Sequence, residues 1–268
     1  RDWSSDVCSS DLADGERMIR AAANNKVRLD VAYRQRYHPA HIAARREIEA
    51  GVLGEQQLVR AQNFIGGARP YWARQPGWRT DAALAGSGSI VAQSVHAVDL
   101  IRFLSGSEIV EVRCITDAVA ETDAVAETDA VAETDALTFT RPFEEMIVAI
   151  FKFANGALGQ VSSGAIVPRS DNDVVLYGAS GKLSCINTLG RSTPGRETEL
   201  VVETGASVKR TPFGEDMLVT RTTRLIEDFS RSITDGTPTL ISAENGLRMI
   251  RIANAMQESG RTGSTVLV

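Results

Sequence analysis

The chain has 268 residues, 43% of them hydrophobic, with a formal net charge of −5 and a pI near 5.4. That length and apolar content suffice for a proper core in one large domain or two small ones, and the acidic balance argues against nucleic acid or an anionic membrane as a partner. Cys8, Cys114 and Cys185 are odd in number, far apart and outside any CxxC, which argues against a disulfide framework or a zinc cluster and leaves a reducing cytoplasm as the expected setting.

No apolar run approaches the ~18 residues of a membrane span, and the first residues do not read as a signal peptide. Residues 1–12, RDWSSDVCSSDL, have neither helical nor strand periodicity and read as a non-native junction segment. From Ala13, the apolar Met18, Ile19, Ala22 and Ala23 predict a short amphipathic helix ending at Asn24-Asn25. The alternation of Val27, Leu29, Val31 and Tyr33 then predicts a strand. After Pro39 a second helix carries Ile42, Ala43, Ile48 and Leu53 and closes at Gly51 and Gly54, and QQLVRAQNFIGG follows as a strand. The irregular, aromatic and basic loop beyond it holds Trp72, Trp78 and Arg79, residue types that border a ligand or simply pack.

The loop leads into GSGSIVAQSVHAVDLIRFLSG, where Ile90, Val91, Val95, Val98, Ile101 and Leu104 recur at helical spacing and Gly106 is the stop. At about 100° per residue Ser89, Gln93, His96 and Asp99 share the remaining face, with His96 at the centre. A histidine with a carboxylate one turn on, beside a glycine-rich entry, suits proton transfer near neutral pH. A core histidine satisfied by Asp99 or by a carbonyl is the alternative.

EIVEVRCIT is a strand, and the hexad DAVAET then runs three times from Asp117 to Thr134, with Asp135-Ala136 trailing. Acidic, low in complexity and without an aromatic, residues 117–136 read as a solvated insertion. Asn155-Gly156 and the glycine-bearing turn at 178–181 mark two hairpins, ETELVVET and ASVKRTPF are further strands, and STVLV is a last short one. Between them and the end lie two helices. In Met217–Asp235, Leu218, Leu225, Ile226, Phe229 and Ile233 are expected to face inward; in Ser242–Glu258, capped by Ser242 and stopped by Gly260, Leu247, Ile250, Ile252, Ala253 and Met256 do so. The fold class is α+β (α/β), an open mixed, mainly antiparallel sheet with helices on one face.

Gly86-Ser-Gly88 is a poor dinucleotide fingerprint, because it follows a loop and position 91 is valine. His38 and His41 have HxxH spacing but no third ligand, so no metal is expected. No serine stands in a nucleophile elbow and no cysteine has a histidine nearby in sequence.

From about Ala13 to Val268 the chain resembles the C-terminal part of the Gfo/Idh/MocA family of nicotinamide-dependent oxidoreductases. VAYRQRYHPAH, EAGVLGE, GWRTD before the glycine cluster, HAVDLIRFLSG, FKFANGALG, LYGASGKL and the ending from DGTPTLISAENGL onward carry the resemblance in order. It implies a Rossmann domain holding NAD or NADP, a C-terminal domain whose open sheet pairs subunits into a homo-oligomer, and a sugar or polyol substrate between the two domains. His96 then handles the proton as catalytic residue, Gln93, Asp99 and Arg36 are candidate substrate-binding neighbours, and Trp78 and Arg79 touch the nicotinamide end of the cofactor. Residues 13–34 would be a remnant of the Rossmann domain and residues 35–268 the C-terminal domain, so that the chain is a fragment expected to be inactive alone. The family's glycine fingerprint and lysine-proline motif are absent. Ala92 stands one turn before His96 where many members carry an aspartate. A non-catalytic paralogue serving as a binding or assembly module is the alternative function.

Overall fold

Alternation and turn signals over most of the chain resolve into one sheet in a computed structural model, which describes residues 12–65, 87–117, 144–164, 167, 172–190, 193–214 and 218–268. Residues 1–11, most of the hexad repeat, and Trp72, Trp78 and Arg79 lie outside the described residues.

Nine strands line up: β1 (Gln56–Phe64), β2 (Ile109–Thr116), β3 (Met146–Phe153), β4 (Leu158–Gly164), β5 (Val174–Gly178), β6 (Gly181–Ile186), β7 (Glu199–Thr204), β8 (Ser207–Pro212) and β9 (Val266–Leu267). Their order across the sheet is β8-β7-β6-β5-β1-β4-β3-β2-β9. Every pairing is antiparallel except β1 with β4, in register Leu58↔Leu158 to Phe64↔Gly164. The β3–β4 hairpin turns at Asn155-Gly156, where Gly156 takes the left-handed φ of 89° that such a turn requires.

Five α-helices are described: α1 (Leu12–Asn24), α2 (Pro39–Glu49), α3 (Val95–Ser105), α4 (Leu218–Asp235) and α5 (Ala243–Thr262). On β3, Ile147, Ala149, Phe151 and Phe153 are buried while Val148, Ile150 and Lys152 face solvent. The buried rows meet α2, α3 and α5, which cover one face of the sheet. Helix α3 is enclosed nearly all round, with Ala97, Val98, Leu100, Ile101 and Leu104 fully buried. Gly106 ends it in a left-handed conformation, and the Arg45 guanidinium packs against it where a Cβ would stand.

Three local expectations change. Val27–Tyr33 makes no ladder with any described strand, so its alternation has no neighbour to complete it; Asp30 accepts a hydrogen bond from the Thr239 hydroxyl instead, and Val31 packs on Gly246. In α4, Ile226 and Ile233 are 56% and 60% exposed, because the inward face is polar: Arg221, 1% exposed, donates to the Gln35 side chain at 2.6 Å, and Asp228 accepts from the Tyr37 hydroxyl at 2.6 Å. Leu225 and Phe229 turn partly inward. Gly260 does not stop α5; it lies inside the helix where a Cβ would meet Thr116 of β2, and Gly263 provides the stop.

His38 and His41 are fully buried. No group of three or more His, Cys, Asp or Glu side chains suited to a metal occurs among the described residues. His38 caps α2 by accepting from Ala40 N–H. The Gln35 carbonyl can only accept, so His41 Nδ1 carries the proton (2.6 Å), and Nε2 accepts from the Thr188 hydroxyl at 2.8 Å. Burial pushes both imidazoles well below their ordinary range, His41 to about 3. Both are neutral in the folded chain and protonated in the unfolded chain below about pH 6.5, so the unfolded state binds more protons and stability falls as pH drops from there. Urea unfolding at pH 7.5 and pH 5 is expected to show a loss on the order of 1–2 kcal/mol per histidine, with a shallower pH dependence in His41→Gln.

Candidate functional site

His96 sits in the first turn of α3, and the segment just before it, Ile90–Ser94, is a π-helical turn. A π turn adds one residue to the helical repeat and rotates the residues after it, a device often found at functional sites. Within it the Ser94 hydroxyl donates to the Ser89 carbonyl at 2.9 Å. The members of the expected polar stripe differ in burial. Ser89, Gln93 and Asp99 are buried, while His96 is half-buried beside the exposed Ala92 and the half-buried Val95.

Each of the buried Gln93 and Asp99 has its own partner. Gln93 Nε2 donates to Asn63 Oδ1 at 2.8 Å, and Asn63 Nδ2 returns a bond to the Gln93 carbonyl at 3.1 Å, tying the π turn to β1. Asp99, with no exposure, accepts from Arg36 Nε at 2.8 Å and Nη2 at 2.6 Å, a bidentate pair; Arg36 Nη1 also donates to the Leu240 carbonyl at 2.6 Å. Arg102 stands 3.7 Å from Asp99 and binds Glu108. Burial alone would raise the Glu108 carboxyl, but the neighbouring guanidiniums of Arg102 and Arg248 together hold it below its usual range. Arg36 and Asp99 are thus brought together, and Gln93 and His96 share one short stretch. The Arg36 guanidinium thus ties Asp99, in the middle of α3, to the 3-10 turn Arg34–Tyr37.

Glu144, at the foot of β3, is a residue that sequence reasoning does not reach. Its carboxylate accepts from Ile90 N–H at 2.9 Å and from the Ser87 hydroxyl, and its carbonyl accepts from Ser89 N–H at 2.9 Å. No local signal marks it, because it lies more than fifty residues from the segment it binds. The buried carboxylate already engages this helix start, so the start does not fit a dinucleotide phosphate, in keeping with the poor glycine fingerprint there.

A cavity of about 630 Å³ opens at the other end of α3, about 15 Å from His96 by helix rise. Arg36, Arg45, Arg46, Arg102, Phe103 and Glu108 line it, and three of its guanidiniums are engaged: Arg36 by Asp99, Arg45 by Glu49 and the Phe103 carbonyl, and Arg102 by Glu108. The chemistry that a half-buried imidazole offers lies instead at the start of α3.

A family model described as the GFO/IDH/MocA C-terminal domain matches residues 41–184. The inositol 2-dehydrogenase of Rhizobium meliloti (strain 1021) is 23% identical over 254 residues, covering 92% of this chain and 68% of that protein. The levoglucosan dehydrogenase of Pseudarthrobacter phenanthrenivorans is 24% identical over 296 residues, covering 97% and 73%. Among solved structures, the aldose-aldose oxidoreductase from Caulobacter crescentus complexed with glycerol superposes with a TM-score of 0.75 at 21% identity, covering 97% of this chain and 69% of that one. An oxidoreductase from Agrobacterium radiobacter in complex with NAD+, L-tartaric acid and magnesium gives 0.74 at 17%, covering 96% and 69%. At these identities the structural likeness is one of fold.

Removing one partner of the Arg36–Asp99 pair leaves a buried charge uncompensated. Asp99→Ala is expected to destabilise the chain by about 3–5 kcal/mol in denaturant unfolding, whereas the double variant Arg36→Met/Asp99→Leu recovers most of the loss.

Proposed function

The chain belongs to the Gfo/Idh/MocA family, and from that membership we propose that it forms the substrate side of an oxidoreductase acting on a hydroxyl-bearing carbon of a sugar, polyol or related small molecule. The observation that carries this reading is His96, a half-buried imidazole at the start of an otherwise enclosed helix fixed at several points to the sheet.

NAD or NADP, when bound, gives or accepts the hydride; the solved Agrobacterium radiobacter relative was crystallised with NAD+. Here His96 takes the proton from the substrate hydroxyl in the oxidising direction and returns it in the reducing one. Gln93 and Asp99 contribute by holding the helix through Asn63 and Arg36. Ala92 offers no carboxylate on the exposed side of that turn, so the substrate meets a small apolar surface beside the imidazole. The described residues supply no phosphate cradle, so the cofactor phosphates are held elsewhere; Trp78 and Arg79 are the proposed contacts at the nicotinamide end.

The domain division follows the same reading. Residues 13–34 are assigned to the dinucleotide-binding half, supported by α1 burying no residue fully and by Val27–Tyr33 lacking a sheet neighbour among the described strands. Residues 35–268 form the substrate and oligomerisation domain, with 117–136 as an insertion. The sheet face without helices carries Ile115, Val148, Ile150 and Leu158 exposed, an apolar row suited to pairing with a second copy. That row also favours the alternative of an assembly module without chemistry.

With the purified chain alone, turnover of NAD(P)H with a panel of sugars and polyols is expected to be negligible. Joined to a complete dinucleotide-binding half, it is expected to oxidise at least one member of the panel, and His96→Gln lowers kcat by roughly 10²–10⁴-fold. A joined protein that binds NAD(P)H and oxidises none favours the assembly module. Light scattering is expected to give an oligomer that Ile150→Lys dissociates while far-UV circular dichroism stays unchanged.

A further inference from the structure

Helix starts are ordinarily capped by a residue next to them in sequence, a serine, threonine, aspartate or asparagine whose side chain takes one free N–H. The start of the His96 helix is fixed differently. Ser87 and Ser89 stand there, yet it is Glu144, delivered from the sheet, that receives the Ile90 N–H at 2.9 Å and the Ser87 hydroxyl through its carboxylate, and the Ser89 N–H at 2.9 Å through its carbonyl. Glu144 is 7% exposed, and no lysine, arginine or histidine pairs with it among the described residues. A carboxylate that is buried without a cation is costly unless donors surround it, and here the donors all belong to the segment leading to His96.

The need for this clasp lies in the π turn. A wider turn lacks the regular 3.6-residue spacing that fixes side-chain direction, so the direction in which His96 leaves the helix depends on how the turn is held. Downstream, Asp99 is locked by Arg36; across the turn, Gln93 is locked to Asn63 on β1. Upstream, Glu144 is the charged group that fixes the first turn, from the foot of β3, the strand neighbouring β4.

We infer that Glu144 is a positioning residue for His96, its carboxylate clasping Ser87 and Ile90 so that the π turn presents the imidazole in one orientation. The inference rests on His96 being the reacting imidazole, as proposed above, but the clasp itself is testable without substrate or cofactor. The chain has three histidines, and the other two are fully buried, so the His96 ring protons are assigned with a single His96→Gln control.

The experiment is NMR of the full chain, comparing wild type with Glu144→Ala, Glu144→Gln and Ser87→Ala, with amide exchange read at Ile90 and at α5 as a remote reference. The expected result for Glu144→Ala is a shifted and broadened His96 ring signal and exchange at Ile90 faster by roughly tenfold or more, with exchange in α5 unchanged. Glu144→Gln, which keeps an acceptor of the same shape, restores the sharp His96 signal; Ser87→Ala gives a smaller change of the same kind and serves if Glu144→Ala does not fold. An unchanged His96 signal in Glu144→Ala or Ser87→Ala overturns the inference. So does a change shared equally by α5, which marks Glu144 as a general stabiliser. Neither result depends on turnover, so a protein that lacks oxidoreductase activity and one that lacks the clasp are told apart.

Discussion

The bidentate pair of Arg36 with Asp99 is the contact on which the arrangement of this chain depends. Arg36 belongs to the short 3-10 turn that carries the chain toward α2, and Asp99 to the middle of the helix beneath the sheet. With both groups removed from water, their attraction compensates desolvation only because the geometry is two-pronged and Arg36 also reaches the Leu240 carbonyl. One guanidinium therefore joins the crossing segment, α3 and the stretch before α5. A lysine would give a single contact and lose that three-way junction.

Around this junction the helix that carries the proposed acid/base is over-determined. Asn63 grips Gln93 from β1, Glu144 grips the first turn from the foot of β3, and the buried Leu100, Ile101 and Leu104 fill the space against the sheet. Such rigidity suits a group that must meet a substrate in one pose, since misplacement by about 1 Å can cost two orders of magnitude in rate. The neighbouring residues of the helix left open, Ala92 and Val95, are small or apolar.

Local features are legible in the amino-acid order; contacts across long separations are not. Asn155-Gly156 announces its hairpin because both strands lie beside the turn, and Gly106 announces the end of its helix for the same reason. The periodicity of α4 correctly marks a helix, but periodicity carries no information about which side meets a partner, so it points Ile226 and Ile233 inward although Arg221 and Asp228 occupy that side. Val27–Tyr33 alternates like a strand, yet a strand is defined by its neighbour. His96 stands out through residue type and helical phase. The partners of Gln93 and Asp99, and Glu144 altogether, sit 30 to 63 residues from the groups they hold, where no spacing rule reaches.

Asp117 opens the first copy of the hexad repeat and is also the residue that shuts the stem from which the repeat departs. Its carboxylate accepts from Glu145 and Met146 N–H at 2.8 and 2.9 Å, and its own N–H reaches the Met146 carbonyl at 3.2 Å, so β2 and β3 are stapled together at the point where the chain leaves and returns. The first residue of the repeat is thus also part of the sheet's own bonding, holding the end of β2 against the start of β3 in the register that begins at Thr116↔Ile147.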